Sequence, residues 1–178
     1  MSTPAATTTT ATPAGATPDE RSDLLQTLQT HRSFLRVTVR GLTDDQARQR
    51  TTVSALCLGG LVKHVAATEA QWVQFALHGA DVFSQDEDRW ADGFSLTADE
   101  TLEQVLAEYD RVAALTDQLV VDHPDLDSAH PLPEAPWFPP GASWSVRRVL
   151  LHVIAETAQH AGHADVLRES LDGQKTMG

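Results

Sequence analysis

Glu156 and His160 are the two side chains whose types and spacing first suggest chemistry. They stand four residues apart in the segment HVIAETAQHAGHADVLRE, one turn of an α-helix, where a carboxylate and an imidazole can converge on a single ion. On a helical wheel centred on Val153, Val146, Val149, Ala164, Leu167 and Leu171 lie within about 40° of the apolar centre. His160 falls about 20° from that centre and Glu156 about 60°, so both turn toward the core. His163 and His152, at about 80° and 100°, sit at the edge of the stripe. A carboxylate facing a core is costly unless it is paired, hydrogen-bonded or bound to a cation. The residues alone leave two readings: a hydrogen-bonded core pair, or two ligands of a metal whose third ligand comes from another helix. His64, beside Leu61, Thr68 and Phe75 on the flank of a second apolar stripe, is the candidate third ligand. Two imidazoles and a carboxylate drawn from two helices match a catalytic zinc site with a fourth position left for water or substrate.

The remaining chemistry-bearing residues carry less. Of the eight histidines, His31 falls on an apolar face and reads as a core histidine, while His78, His123 and His130 fall at helix ends or in loops and read as solvated. His163 and Asp165 are candidates to orient a ligand imidazole. Trp72, Trp90, Trp137 and Trp144 are candidate pocket walls or packing residues. Cys57 is the only cysteine, so no intrachain disulfide can form. At a helix start its thiol would be activated, but a small buried residue is the simpler reading.

Four helices must position these groups. Leu24, Leu28, His31, Leu35 and Val39 recur every three or four residues, which predicts a helix over roughly 19–40. A second stripe, Leu58, Leu61, Val65, Trp72 and Ala76, begins near Cys57 and is stopped by Gly79. Thr97 and Glu100 have capping-box spacing ahead of a third stripe from Leu102 to Leu119, which Pro124 closes. The fourth helix runs from about Ser145 to Leu171 and ends at Gly173. Residues 80–96 and the proline-rich 123–143 are long connections after the second and third helices. The expected fold is all-α, a four-helix bundle with those two crossings and no internal repeat.

Composition excludes several classes. The 178 residues carry 13 Lys and Arg against 25 Asp and Glu, a formal charge of −12, which repels a phosphate backbone and argues against nucleic acid as a partner. No apolar run approaches the length a bilayer span needs. Residues 1–18 hold seven Thr, five Ala and three Pro with no signal-peptide pattern, and read as a disordered cytoplasmic tail ahead of one domain over 19–178.

The segments LVKHVAATEAQW and HVIAETAQHAGHADVLRE resemble the two signature segments of the DinB-like superfamily. They are most similar to the branch that holds the metal-binding domain of mycothiol-dependent maleylpyruvate isomerase and the mycothiol S-transferases. The likeness covers nearly everything after the tail. Many superfamily members have two histidines four apart on the last helix; Glu156 in the first of those positions resembles the mycothiol-linked branch, and His160, followed by AGH, fills the second. His64 matches the ligand of the earlier helix. The resemblance thus implies a metal set of His64, Glu156 and His160, a DinB-like bundle, and zinc with mycothiol as cosubstrate. The 178 residues hold no counterpart of the isomerase's additional C-terminal domain, so the likeness is to the metal-binding domain alone.

The implied chemistry is conjugation. A coordinating metal deprotonates a thiol, and the thiolate is the nucleophile that attacks a small electrophile. The expected partners are therefore a low-molecular-weight thiol and an electrophile, in a cytoplasmic detoxification role, with homodimerisation left open. Two alternatives use the same residues: hydrolysis by metal-activated water, and a noncatalytic bundle that binds a metal or small molecule.

Overall fold

The structure, a computed structural model, describes residues 19–83 and 93–176; the expected tail and Trp90 lie outside the described residues. Helix α1 (Glu20–Thr38) begins where the Asp19 carboxylate accepts from the Ser22 amide at 2.9 Å, satisfying one unpaired donor of the first turn. Helix α2 (Asp44–Arg48) adds to the expected set, because five residues are too few to show any periodicity. Its signal is chemical: Thr43 Oγ1 accepts from the Gln46 amide at 3.2 Å, and Gln46 Oε1 accepts from the Thr43 amide at 3.0 Å.

Helix α3 (Leu58–His78) follows Cys57 and stops at Gly79, whose φ of +83° is a conformation that glycine adopts without strain. A 3-10 turn at Ala80–Val82 leads away from it. Helix α4 (Leu102–Asp122) corrects the expected start. Glu100 Oε2 does accept from the Thr97 amide, at 2.9 Å, but that pair closes a separate turn. The box that opens the helix is Thr101 with Gln104, their reciprocal bonds being 3.0 and 3.2 Å. The two boxes overlap in sequence, and the one adjoining Leu102 starts the helix.

The proline-rich connection is more ordered than a plain loop. Strands β1 (Ala129–Pro131) and β2 (Ser143–Ser145) pair antiparallel, with His130 opposite Trp144. Helix α5 (Val146–Asp172) runs directly out of β2. Its first amides are satisfied from the same connection: Val146 N donates to Ser128 O and Arg147 N to Leu126 O, each at 2.9 Å, and Arg148 N donates to Ser145 Oγ at 3.1 Å. These three bonds anchor the head of the helix that carries Glu156 and His160.

The expected bundle is present. Helix α5 packs on α1 and α3, and α3 packs on α4, so α1 and α3 sit across a diagonal although they are successive long helices. The diagonal explains the intervening 20 or so residues better than a tight αα-hairpin would. Leu35, Leu61, Val65, Tyr109 and Ala164 belong to one buried cluster, and Leu28, Phe75, Val120, Leu150 and Val153 to another. A charged pair crosses the interior as well. Glu69 on α3 is 1% exposed; it accepts from Arg32 Nε on α1 at 3.3 Å and from Thr116 Oγ1 on α4 at 2.5 Å. Among the described residues no helix is long and apolar enough to cross a membrane.

Candidate metal centre

Helices α3 and α5 carry the three donors, and their contact brings them together. His64, Glu156 and His160 each offer a ligand atom, and these atoms all lie within 4.8 Å of one another. His160 Nε2 is 3.5 Å from Glu156 Oε2, and the His64 and His160 rings meet edge to face with centroids 4.8 Å apart. Both histidines are buried and Glu156 is half-buried, so one side of the cluster remains reachable from solvent. Ligand bonds of about 2.0–2.2 Å around a tetrahedral ion set its donors roughly 3.4 Å apart, close to the Glu156–His160 separation. The donor types fit the ion too: two borderline nitrogen ligands and one hard, charged oxygen suit a divalent transition metal.

Electrostatics favour the ligating form of the imidazoles. Burial pushes the His64 ring down to about 4, and the neighbouring His160 adds to the effect. Burial also lowers His160, against the opposing pull of the Glu156 carboxylate. Both rings are therefore neutral at pH 7, the state a metal requires.

Comparison with known proteins identifies the family. Residues 23–173 match the family model described as Mycothiol-S-transferase. The chain belongs to the mycothiol S-transferase family. A solved structure of a conserved protein from Enterococcus faecalis is similar to it in fold, with a TM-score of 0.68 over 89% of this chain and 100% of that one, at 14% sequence identity. No curated protein matches the chain.

Around the donors, this member of the mycothiol S-transferase family keeps some expected neighbours and replaces others. His163 is exposed, yet its Nδ1 lies 3.5 Å from His160 Nδ1. Asp165 does not reach the centre, because its carboxylate accepts from the Thr176 amide at 2.7 Å. His152, left at the stripe's edge by the wheel, turns inward: its Nε2 is 3.9 Å from Glu156 Oε1, and its ring lies edge-on to Trp72 and Trp144 at 4.8 and 5.0 Å. Burial lowers its proton affinity. Trp72 and Trp144 stack on each other at 4.6 Å, whereas Trp137 is 75% exposed. Of the two side chains against His64, one stands beside it in the sequence and the other does not. Thr68, placed beside His64 by its i, i+4 spacing, sets its Oγ1 3.4 Å from His64 Nε2. Phe94 stacks on His64 at 3.9 Å, and no spacing rule announces a contact made across a long connection.

The other expectations divide similarly. His31 is half-buried and edge-on to Phe34 rather than fully inside the core, although Leu28 and Leu35 on the same face are buried. Cys57 is 4% exposed and makes no capping bond to α3, as expected of a small buried residue. A groove of about 540 Å³ between α3 and α4, lined among others by Lys63, Gln71, Glu100 and Arg111, contains none of the three donors.

Proposed function

We propose that the protein is a metal-dependent thiol S-transferase that uses mycothiol as nucleophile against small electrophiles, with His64, Glu156 and His160 as ligands of a divalent ion, zinc by preference. The observation that carries this reading is the convergence of those three donors, from two helices, in a chain of the mycothiol S-transferase family. A divalent ion held by His64, Glu156 and His160 would supply a positive centre that favours the thiolate form of a small thiol at neutral pH. His64 and His160 contribute neutral nitrogens, and Glu156 cancels one of the two positive charges, leaving a net charge that favours an anionic sulfur. Trp72 packs edge-on against His152, which lies beside Glu156. The sulfur attacks the electrophilic carbon of a haloarene or similar compound, a C–S bond forms, the carbon–halogen bond breaks, and the halide and the thiol proton leave to solvent.

The thiol comes from solution. Cys57 precedes His64 by seven residues, about 10 Å along a helix, and its Sγ points to Phe94 O at 3.7 Å. Such chemistry suits a reducing cytoplasm, where small thiols stay reduced.

The test is an assay of wild-type, Cys57→Ser and metal-stripped protein with mycothiol, glutathione and bacillithiol against a panel of electrophiles. Turnover should need both metal and thiol, be fastest with mycothiol, and survive in Cys57→Ser. Equal rates without metal, or loss of activity in Cys57→Ser with metal still bound, would defeat the mechanism. Metal binding with no turnover by any thiol would favour a noncatalytic bundle.

A further inference from the structure

The segment that follows residue 92 is seated on the head of α3 with almost no clearance. A Cβ placed on Gly60 would lie 1.9 Å from Phe94 O and 2.3 Å from Phe94 C, so this backbone approach is open only to glycine. The preceding residue, Gly59, is held less tightly: a Cβ there would meet the end of the Leu96 side chain, Cδ2, at 2.8 Å. Side chains of α3 then fasten the segment: Cys57 Sγ reaches Phe94 O at 3.7 Å, and Lys63 Nζ donates to Ser95 O at 3.4 Å while pairing with Glu100 at 2.7 Å. Leu96 is 5% exposed and closes the packing.

All of this fixes one ring. Phe94 lies face to face with the His64 imidazole, centroids 3.9 Å apart and planes 22° apart, and its centroid is 6.0 Å from that of His160. An imidazole on an α-helix has two freely turning side-chain torsions, and its nitrogen can meet an ion only in a narrow range of both. Thr68 Oγ1, at 3.4 Å, offers a single polar contact to that ring. The Phe94 face supplies the second constraint, against rotation out of plane.

We propose that Phe94 is a positioning residue for His64, and that Gly60 lets its backbone dock closely enough to serve. This inference rests on the reading of His64 as a metal ligand. It also accounts for features that the three donors leave unexplained: a glycine at position 60 in the first turn of a helix, where it costs helix stability, and a buried thiol that neither caps α3 nor reaches the metal centre.

The experiment compares Phe94→Leu, which keeps apolar bulk and removes the ring, with Phe94→Tyr, which keeps the ring. Gly60→Ala serves as a third variant that leaves Phe94 unaltered and forces its backbone off α3. Zn2+ affinity is measured by competition with a chromophoric chelator, ligand geometry by the visible spectrum of the Co2+ form, and the His64 ring environment by imidazole NMR shifts in metal-free protein. Phe94→Leu and Gly60→Ala should each weaken Zn2+ binding by about tenfold, alter the Co2+ spectrum and shift the His64 ring protons downfield. Phe94→Tyr should restore all three. Wild-type affinity, spectrum and shifts in Phe94→Leu would overturn the positioning role alone. A wild-type protein that takes up no metal would overturn the metal centre itself, and the positioning role with it.

Discussion

At the residue scale, burial keeps the His64 and His160 rings neutral, as proposed ligands must be, and makes the metal-free protein sensitive to acid. The His64 ring, held near 4 in the fold, returns to about 6.5 in the unfolded chain. Between those values the unfolded chain binds more protons, so stability present above pH 6.5 is lost as pH falls toward 4. Urea unfolding of metal-free protein should therefore show a declining midpoint across that window, and His64→Gln should flatten the decline. An equal decline in wild type and His64→Gln would mean that other groups set the acid response. The Glu156–His160 pair was legible in the sequence because one helix carries both, and periodicity alone orients them. His152 and Phe94 were not: the inward turn of His152 depends on Trp72 from another helix and Trp144 from β2, and the stack of Phe94 on His64 depends on backbone clearance at Gly60.

Individual elements depend on one another through the interior charge pair. Glu69 on α3, Arg32 on α1 and Thr116 on α4 form a fully buried polar junction, which Asp117 extends to Arg32 Nη1 at 2.7 Å. Removing Glu69 leaves buried Arg32 with only the partly exposed Asp117 as carboxylate partner, a loss that costs up to about 3–5 kcal/mol. Glu69→Ala should lower the unfolding free energy by several kcal/mol in denaturant titration, whereas a drop below about 1 kcal/mol would show that Asp117 and water suffice to compensate Arg32. The junction also ties α1 to α3 across the bundle's diagonal. The four long helices could be read from apolar stripes and stop signals such as Gly79 and Gly173. Helix α2, the Thr101 box and the β1–β2 ribbon could not, because each is set by local hydrogen bonds within segments too short to show a period.

At the scale of the whole molecule, a chain of formal charge −12 places its proposed metal centre between two helices that meet away from the groove between α3 and α4. The negative field of such a chain concentrates divalent cations and repels nucleic acid. The fold that holds the donors is shared with the Enterococcus faecalis protein at 14% identity, as expected when bundle geometry is set by apolar patterning and only a few side chains are fixed by chemistry. The central claim is that one ion is held by His64, Glu156 and His160. Its most direct test is elemental analysis of wild type, Glu156→Gln, His160→Ala, His163→Ala and His78→Ala after equilibration with limiting Zn2+ and gel filtration. One zinc per chain is expected in wild type, His163→Ala and His78→Ala, reduced occupancy in Glu156→Gln, and none in His160→Ala. Full occupancy in His160→Ala, or loss of zinc in His163→Ala with retention in His160→Ala, would contradict it.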